Sequence, residues 1–369
     1  MSKYYIGLIS GTSMDAIDAV LASFPEGGCE IHATHSHAMS EETLAALRHL
    51  VAHPKEAGLH RLGMLDTALG REFAAAALAL IDSSKVSPDQ VHAIGSHGQT
   101  VYHSPASEAP FSMQIGDPNI IAVDTGIQTV ADFRRRDIAL GGEGAPLVPA
   151  FHQAMFSDPV EPHAVLNIGG IANVTVLRPG TAVAGFDTGP GNTLMDAWIR
   201  LNRGKPYDAD GGWAASAEVD ESLLNAFMAH PFFARPWPKS TGIEDFNMEW
   251  LQRILDQLSQ PREPETVQAT LCRFSARTAA QAIDRACPEP GKLFLCGGGA
   301  HNRTLVSQIG EELPGWQIES TDALGIGIDW VEAAAFAWLA YRNLAGLPGN
   351  LPDVTGASRK AVLGNVFRG

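Results

Sequence analysis

"YYIGLISGTSMDAIDAVLASF", residues 4–24, decides how this chain is read. An apolar run, Tyr4–Ile9, enters a turn of small residues around Gly11 and leaves as a second apolar run, Ala16–Phe24. Such runs, bounded by glycine, have the signature of buried strands. The same grammar returns about half a chain later in "AVLNIGGIANVTVLRPG", residues 164–180. Taken as an internal repeat, it predicts two similar α/β lobes. Each would lend one glycine turn to a cleft between them, where ligands tend to bind.

Strand-like and helix-like runs alternate onward from this stretch. Helical patterns cover Glu41–His53 and Leu62–Ser83, and strand patterns cover Val91–Ser96 and Thr129–Asp132. That alternation is α/β. At 369 residues the chain exceeds what one core usually serves. We expect a first lobe over 1–135 and a second over 136–354, with 355–369 a candidate to return to the first. "GGEGAPLVP" (141–149) reads equally as a hinge or as a loop inside the second lobe.

The formal net charge of -15 argues against nonspecific binding to nucleic acid or an anionic membrane, both of which need a positive field. It leaves room for an anionic substrate met by a local cluster of Arg or amides. The 4 cysteines form no CxxC pair, which fits a reducing compartment. The N-terminus lacks the pattern of a signal peptide, and no apolar run approaches a membrane span. A soluble cytoplasmic protein is expected.

Four stretches set small residues at a strand end: "GTSMD" (11–15), "NIGGIAN" (167–173), "GFDTGPGNTLMDAW" (185–198) and "KLFLCGGGAHNRTL" (292–305). Glycine lets a backbone approach a ligand closely, and successive amides then form an anion nest. One such loop is most often a plain turn; four together favour phosphate cradles. No GxxxxGK[ST] occurs, and no GxGxxG follows the first strand. A nucleotide held by turns from two lobes remains.

These stretches resemble the sugar kinase–actin superfamily and, within it, the anhydro-N-acetylmuramic acid kinase family. The residues carrying the likeness include "GLISGTSMDAIDA", "GSHGQTVYH", "VADFRRRDIALGGEGAPLVPAFH", "LNIGGIANVT", "GFDTGPGNTLMDAW", "FLCGGGAHN" and "TDALGIGIDWVEAAAFAWLA", and they span nearly the whole chain. The resemblance implies two RNase H-like lobes with a nucleotide cleft between them. It also implies ATP and Mg²⁺, and recycling of a cell-wall sugar: opening of the 1,6-anhydro bond by water, and phosphorylation of oxygen 6. A homodimer is implied in the same way.

On this resemblance the nucleotide site takes Gly11, Thr12, Ser13, Met14, Asp15, Ala16, Ile17, Asp18, Gly169, Gly170, Gly297, Gly298, Gly299 and Asn302. Asp187 is placed as the base for the attacking water. From the sequence alone, an Asp before Thr-Gly could equally form a turn or cap a helix. Glu332 sits among Val331, Ala333–Ala335 and Phe336, where an unpaired carboxylate is costly to bury. It therefore faces a polar cleft or an exposed helix edge, and the resemblance gives it a sugar-binding or catalytic part.

"DFRRRD" (132–137) follows a strand, and in extended geometry Arg134 and Arg136 share a side. Arg forks suit carboxylates and phosphates, and the implied sugar carries a lactyl carboxylate. An ion-paired surface run is the alternative; Arg136 is preferred over its neighbours. His97 is either a hydrogen-bonding wall of the cleft or a packed structural group, and a zinc site with His103 is disfavoured by spacing. Where the superfamily usually has an acid this chain has Ser10, so Asp15 is the candidate to meet the metal. The rivals are a kinase of another small hydroxyl compound and an actin-like or chaperone-like nucleotide switch.

Overall fold

In the first hairpin, β1 (Tyr4–Ser10) pairs antiparallel with β2 (Ile17–Ser23) in the register Ser10↔Ile17 and Gly7↔Val20. The computed structural model describes residues 3–11, 14, 16–26, 28–56 and 58–369. Nearly every residue of both strands is buried, because a helix covers each face of the sheet; hence the continuous apolar runs. β3 (Glu30–His37) lies at the edge beside β2, and its exposure alternates along the strand.

On the other side of β1 come β4 (Val91–Ser96) and then β7 (Thr129–Ala131), both parallel to it. β13 (Asn365–Phe367) closes that edge antiparallel to β7. A separate hairpin, β5 (Gln99–Ser104) with β6 (Phe111–Ile115), stands outside the sheet. Ile6, Leu8 and Ile94 turn toward Leu65, Leu69 and Phe73 of the helix Leu59–Ser84. Gly7 and Gly95 face the opposite way. A methyl group on either would overlap the backbone carbonyl of Ala333 or Phe336, so only glycine admits the helix Val331–Leu344 this close.

The second sheet holds β8 (His163–Ile168), β9 (Ile171–Leu177), β10 (Ala184–Pro190), β11 (Lys292–Cys296) and β12 (Gln317–Ser320). β8, β9 and β10 run antiparallel, whereas β11 is parallel to β8 and β12 to β11. Apart from β13, third, second, first, fourth, fifth is the order in both sheets, with the same directions. The internal repeat is real: each half is one RNase H-like lobe. Its own core packs the helix Pro264–Ala286 and the rings of Phe227, Phe233, Phe246, Trp250 and Phe274.

The chain divides into two compact units, residues 1–155 with 330–369, and residues 156–329. The boundary expected at 135/136 therefore falls later, and the returning segment begins at Trp330 rather than at 355. The cause is packing. The helix Val331–Leu344 covers β1 and β4, and buried Asp137 fixes the loop before Met155 to the C-terminal stretch. Asp137 Oδ2 accepts from the Gly144 amide at 2.9 Å, and Oδ1 accepts from Asn350 Nδ2 at 2.7 Å and Thr355 Oγ1 at 2.8 Å. "GGEGAPLVP" is thus a pinned loop of the first unit.

Candidate active site

In the first unit the chemistry gathers where β4 ends. The His97 amide continues the sheet by donating to Leu8 O at 2.9 Å. Its Nδ1 lies 2.8 Å from Gly98 O, and a carbonyl can only accept, so Nδ1 carries the proton. Nε2 is left as an acceptor for Arg134, which reaches it from Nη2 at 2.9 Å and from Nε at 3.1 Å. Arg134 Nη1 donates to Gly144 O at 3.0 Å. Burial and the adjacent guanidinium hold His97 well below the usual imidazole pKa. It is a neutral strut for the arginine.

Glu332 lies in the first turn of the helix Val331–Leu344. Desolvation raises its pKa, the Arg134 charge opposes this, and Asp18 raises it further. Glu332, Arg134 and Asp18 therefore form one electrostatic cluster. Asp18, on β2, also accepts from Ser36 Oγ at 3.0 Å. Ser10 is buried and donates to Gln99 Oε1 at 2.6 Å, so the hydroxyl standing in for the superfamily acid is tied to β5.

The arginine run corrects the extended geometry expected for it. Asp132 takes a left-handed φ of 63°, ends the strand and begins a short helix, Phe133–Ala139. At roughly 100° per residue the helix sends the three arginines in different directions. Arg134 turns inward, Arg135 pairs with Asp132 at 2.7 Å, and exposed Arg136 donates to Val362 O at 2.7 Å. Arg136 ties down the C-terminal stretch and does not share a side with Arg134.

Of the first glycine turn, Thr12, Ser13 and Asp15 lie outside the described residues. Gly11 has open space where a side chain would stand, and its carbonyl accepts the Met14 amide at 3.1 Å. Met14 takes a left-handed φ of 56°. Ala16 follows that turn, and Ile17 opens β2 with its side chain in the core.

In the second unit two of the other three glycine turns are hydrogen-bonded together, and the third packs against them. Gly191 and Thr193 amides donate to Gly170 O at 2.8 and 3.1 Å, and the Asn192 amide donates to Gly169 O at 2.8 Å. Asn192 Nδ2 donates to Ile168 O at 3.2 Å. Gly297 has φ 79°, and a methyl on Gly299 would overlap Ile168 and press on Asn192. Gly298 has open space beside it. Asn302 caps the next helix, its Oδ1 accepting the Leu305 amide at 3.0 Å. Small residues here let the turns pack against one another.

Asp187 sits within β10, opposite Asn173 of β9, at a register shift before Gly189. It is no helix cap, because Asn192 occupies that position for Thr193–Arg203. Its amide donates to Lys239 O at 3.1 Å, and its Oδ2 accepts the Thr241 amide at 3.0 Å. Thr241 Oγ1 in turn donates to Asp245 Oδ2 at 2.7 Å. The carboxylate is aimed by a segment about fifty residues away, which no local sequence signal announced. Among the described residues no group of three or more His, Cys, Asp or Glu is arranged to hold a metal.

A family model described as anhydro-N-acetylmuramic acid kinase matches residues 3–369. The chain belongs to that family. Among its relatives, the anhydro-N-acetylmuramic acid kinase of Shewanella woodyi is 53% identical over 370 residues, covering 100% of this chain and 99% of its own. That of Shewanella sediminis is 51% identical over 368 residues, covering 99% of each chain. Membership makes the protein a phosphotransferase with an alcohol group as acceptor. Its fold recurs in a solved structure of another protein. The solved component A of (R)-2-hydroxyglutaryl-CoA dehydratase from Acidaminococcus fermentans superposes with a TM-score of 0.50 at 14% identity, over 93% of this chain and 100% of that one. No helix among the described residues is long and apolar enough to cross a membrane.

Proposed function

We propose that this family member uses ATP to open 1,6-anhydro-N-acetylmuramic acid with water and to phosphorylate oxygen 6, giving N-acetylmuramic acid 6-phosphate and ADP. The carrying observation is the Asp187 carboxylate, fixed by the Thr241 amide at 3.0 Å on the same unit as the laced glycine turns. In this reading the turns of Gly11–Asp18, Gly169–Gly170 and Gly297–Gly299 meet the nucleotide through their amides. Asp187 takes a proton from water as the water oxygen bonds to carbon 1. The bond from carbon 1 to the bridging oxygen breaks, and its electron pair stays on that oxygen. Oxygen 6, so released, attacks the γ-phosphorus, and the bond to the ADP oxygen breaks.

Phosphoryl transfer needs chiefly alignment and charge neutralisation. Arg134 has five N–H groups; three are given to His97 and Gly144, and the other two suit the lactyl carboxylate of the sugar. Glu332 serves as the sugar-side carboxylate next to it. Mg²⁺ accompanies ATP and would neutralise phosphate charge. Such an ion commonly takes one or two carboxylates, phosphate oxygens and water, so the lack of a three-residue cluster among the described residues is compatible with it. Asp15 and Asp18 are the candidates on this chain. All 4 cysteines are free thiols, which supports a cytoplasmic setting, and we propose a homodimer there.

Mass spectrometry of the product made from the anhydro sugar, ATP and Mg²⁺ in 18O-labelled water tests the proposal. A 6-phosphorylated sugar labelled at carbon 1 is expected. Phosphorylation of an open sugar with the anhydro sugar untouched would overturn it in favour of an ordinary sugar kinase.

A further inference from the structure

Behind β10, on the face turned away from Asp187, the second unit holds a cavity of about 230 Å³. One part of its wall is aromatic: Phe186, Phe233 and Trp237, with Phe186 and Trp237 stacked at 5.2 Å. The other part is cationic: Arg235, Lys239 and Arg285. Lys239 is only 9% exposed, yet its Nζ makes one hydrogen bond, to Phe232 O at 3.2 Å, and lies over the Phe232 ring at 4.3 Å. Arg285 Nη1 donates to Phe233 O at 2.9 Å, and Arg235 lies over the Phe232 ring at 5.7 Å.

Among the described residues none of the three has a carboxylate within ion-pair distance. The other charged groups acting on Lys239 are the two arginines, which repel it, and Asp187, whose attraction is the weakest of the influences on it. A buried ammonium with carbonyl and ring partners but no counter-ion is expensive to keep. Cations stacked beside rings, around a hollow open to solvent, suit a ligand that brings the missing charge and lays an apolar body on the aromatic wall. The cavity is smaller than a typical drug-sized pocket, which limits that ligand to a small molecule.

We propose that this cavity is a binding site for a small organic anion, its carboxylate or phosphate meeting Arg235, Lys239 and Arg285 and its apolar part lying against Trp237 and Phe233. The site is separate from the sugar and nucleotide groups assigned above and does not depend on that assignment. It shares a segment with them, since Lys239 O and the Thr241 amide also hold Asp187.

The test is 19F NMR of 4-fluorobenzoate and of 4-fluorophenyl phosphate, each titrated with the intact protein, with uncharged 4-fluorotoluene and inorganic phosphate as controls. Saturable binding of one or both aromatic anions is expected, at least tenfold tighter than either control. Arg235→Gln and Arg285→Gln, each checked by thermal melting, should weaken it about tenfold or more, while excess ATP should not displace it. Which anion binds tighter distinguishes a carboxylate from a phosphate ligand. No saturable binding at millimolar probe, equal binding of 4-fluorotoluene, equal affinity in both folded variants, or displacement by ATP would each overturn the proposal.

Discussion

Arg134 and His97 meet with the guanidinium as donor and the imidazole as acceptor, Nη2 to Nε2 at 2.9 Å. Since Nδ1 is already committed to Gly98 O, protonating His97 would place a second cation and a second N–H against the arginine. The pair therefore works only with a neutral ring. Replacing His97 by Asn would free Arg134 to rotate. A rise in the KM for the sugar of about tenfold or more is expected, with the KM for ATP nearly unchanged, in steady-state kinetics. An equal rise in both would show that His97 is merely packed.

Asp187→Asn keeps an oxygen to accept the Thr241 amide but removes the base. The fall in kcat should be about 10²–10⁴-fold, with an unchanged melting temperature. Full activity in the labelled-water assay would remove Asp187 from the reaction.

Glu332 has its pKa raised by burial and by Asp18. If the ionised form is the working one, activity declines as pH falls through that raised pKa. Asp18→Asn takes away a repelling negative charge, so Glu332 ionises more readily. The acid limb of the kcat/KM profile should then move to lower pH. A limb that stays in place would show that Glu332 does not set it.

His152 is almost wholly buried, and burial pushes its pKa down to about 3. The folded state thus binds fewer protons than the unfolded one below the unfolded value of about 6.5. Stability is fully present above that value and is lost as pH falls toward the folded one. Each such histidine contributes a slope of about 1 kcal/mol per pH unit over that window. Urea melts from pH 6.5 to 4.5 should show a shallower slope for His152→Gln than for the parent chain.

Gly95→Ala inserts a methyl into the Phe336 carbonyl and within 3.0 Å of Ala340 Cβ. Overpacking of this kind costs about 1–3 kcal/mol. Urea unfolding should register that loss. Activity should fall with it, because the displaced helix carries Glu332.

The sequence announced the parts of this molecule that repeat. Both strand–glycine–strand hairpins and the turns near Gly191 and Gly298 were legible, because glycine at a strand end has few other uses. The arginine run is not legible for a local reason: one left-handed residue, Asp132, converts an apparent strand continuation into a helix, and Asp carries that option silently. The clamp on Asp187 was invisible for a distant one. Lys239 and Thr241 act through backbone atoms, which every residue possesses, so their identity gave no hint. The place of Val331–Leu344 was half-written, in Gly7 and Gly95 rather than in the helix itself.

Asp137 joins Gly144 to Asn350 and Thr355, across a stretch of chain that contains the whole second unit. On a ribosome these partners emerge in an enforced order. Residues 156–329 are contiguous and can fold as soon as they are out. The first unit must wait with its sheet unfinished, β1 and β4 lacking their covering helix and β7 its outer neighbour, until 330–369 has been made. A chain truncated after Asp329 and released should therefore present a protease-resistant second unit joined to a cleavable first one.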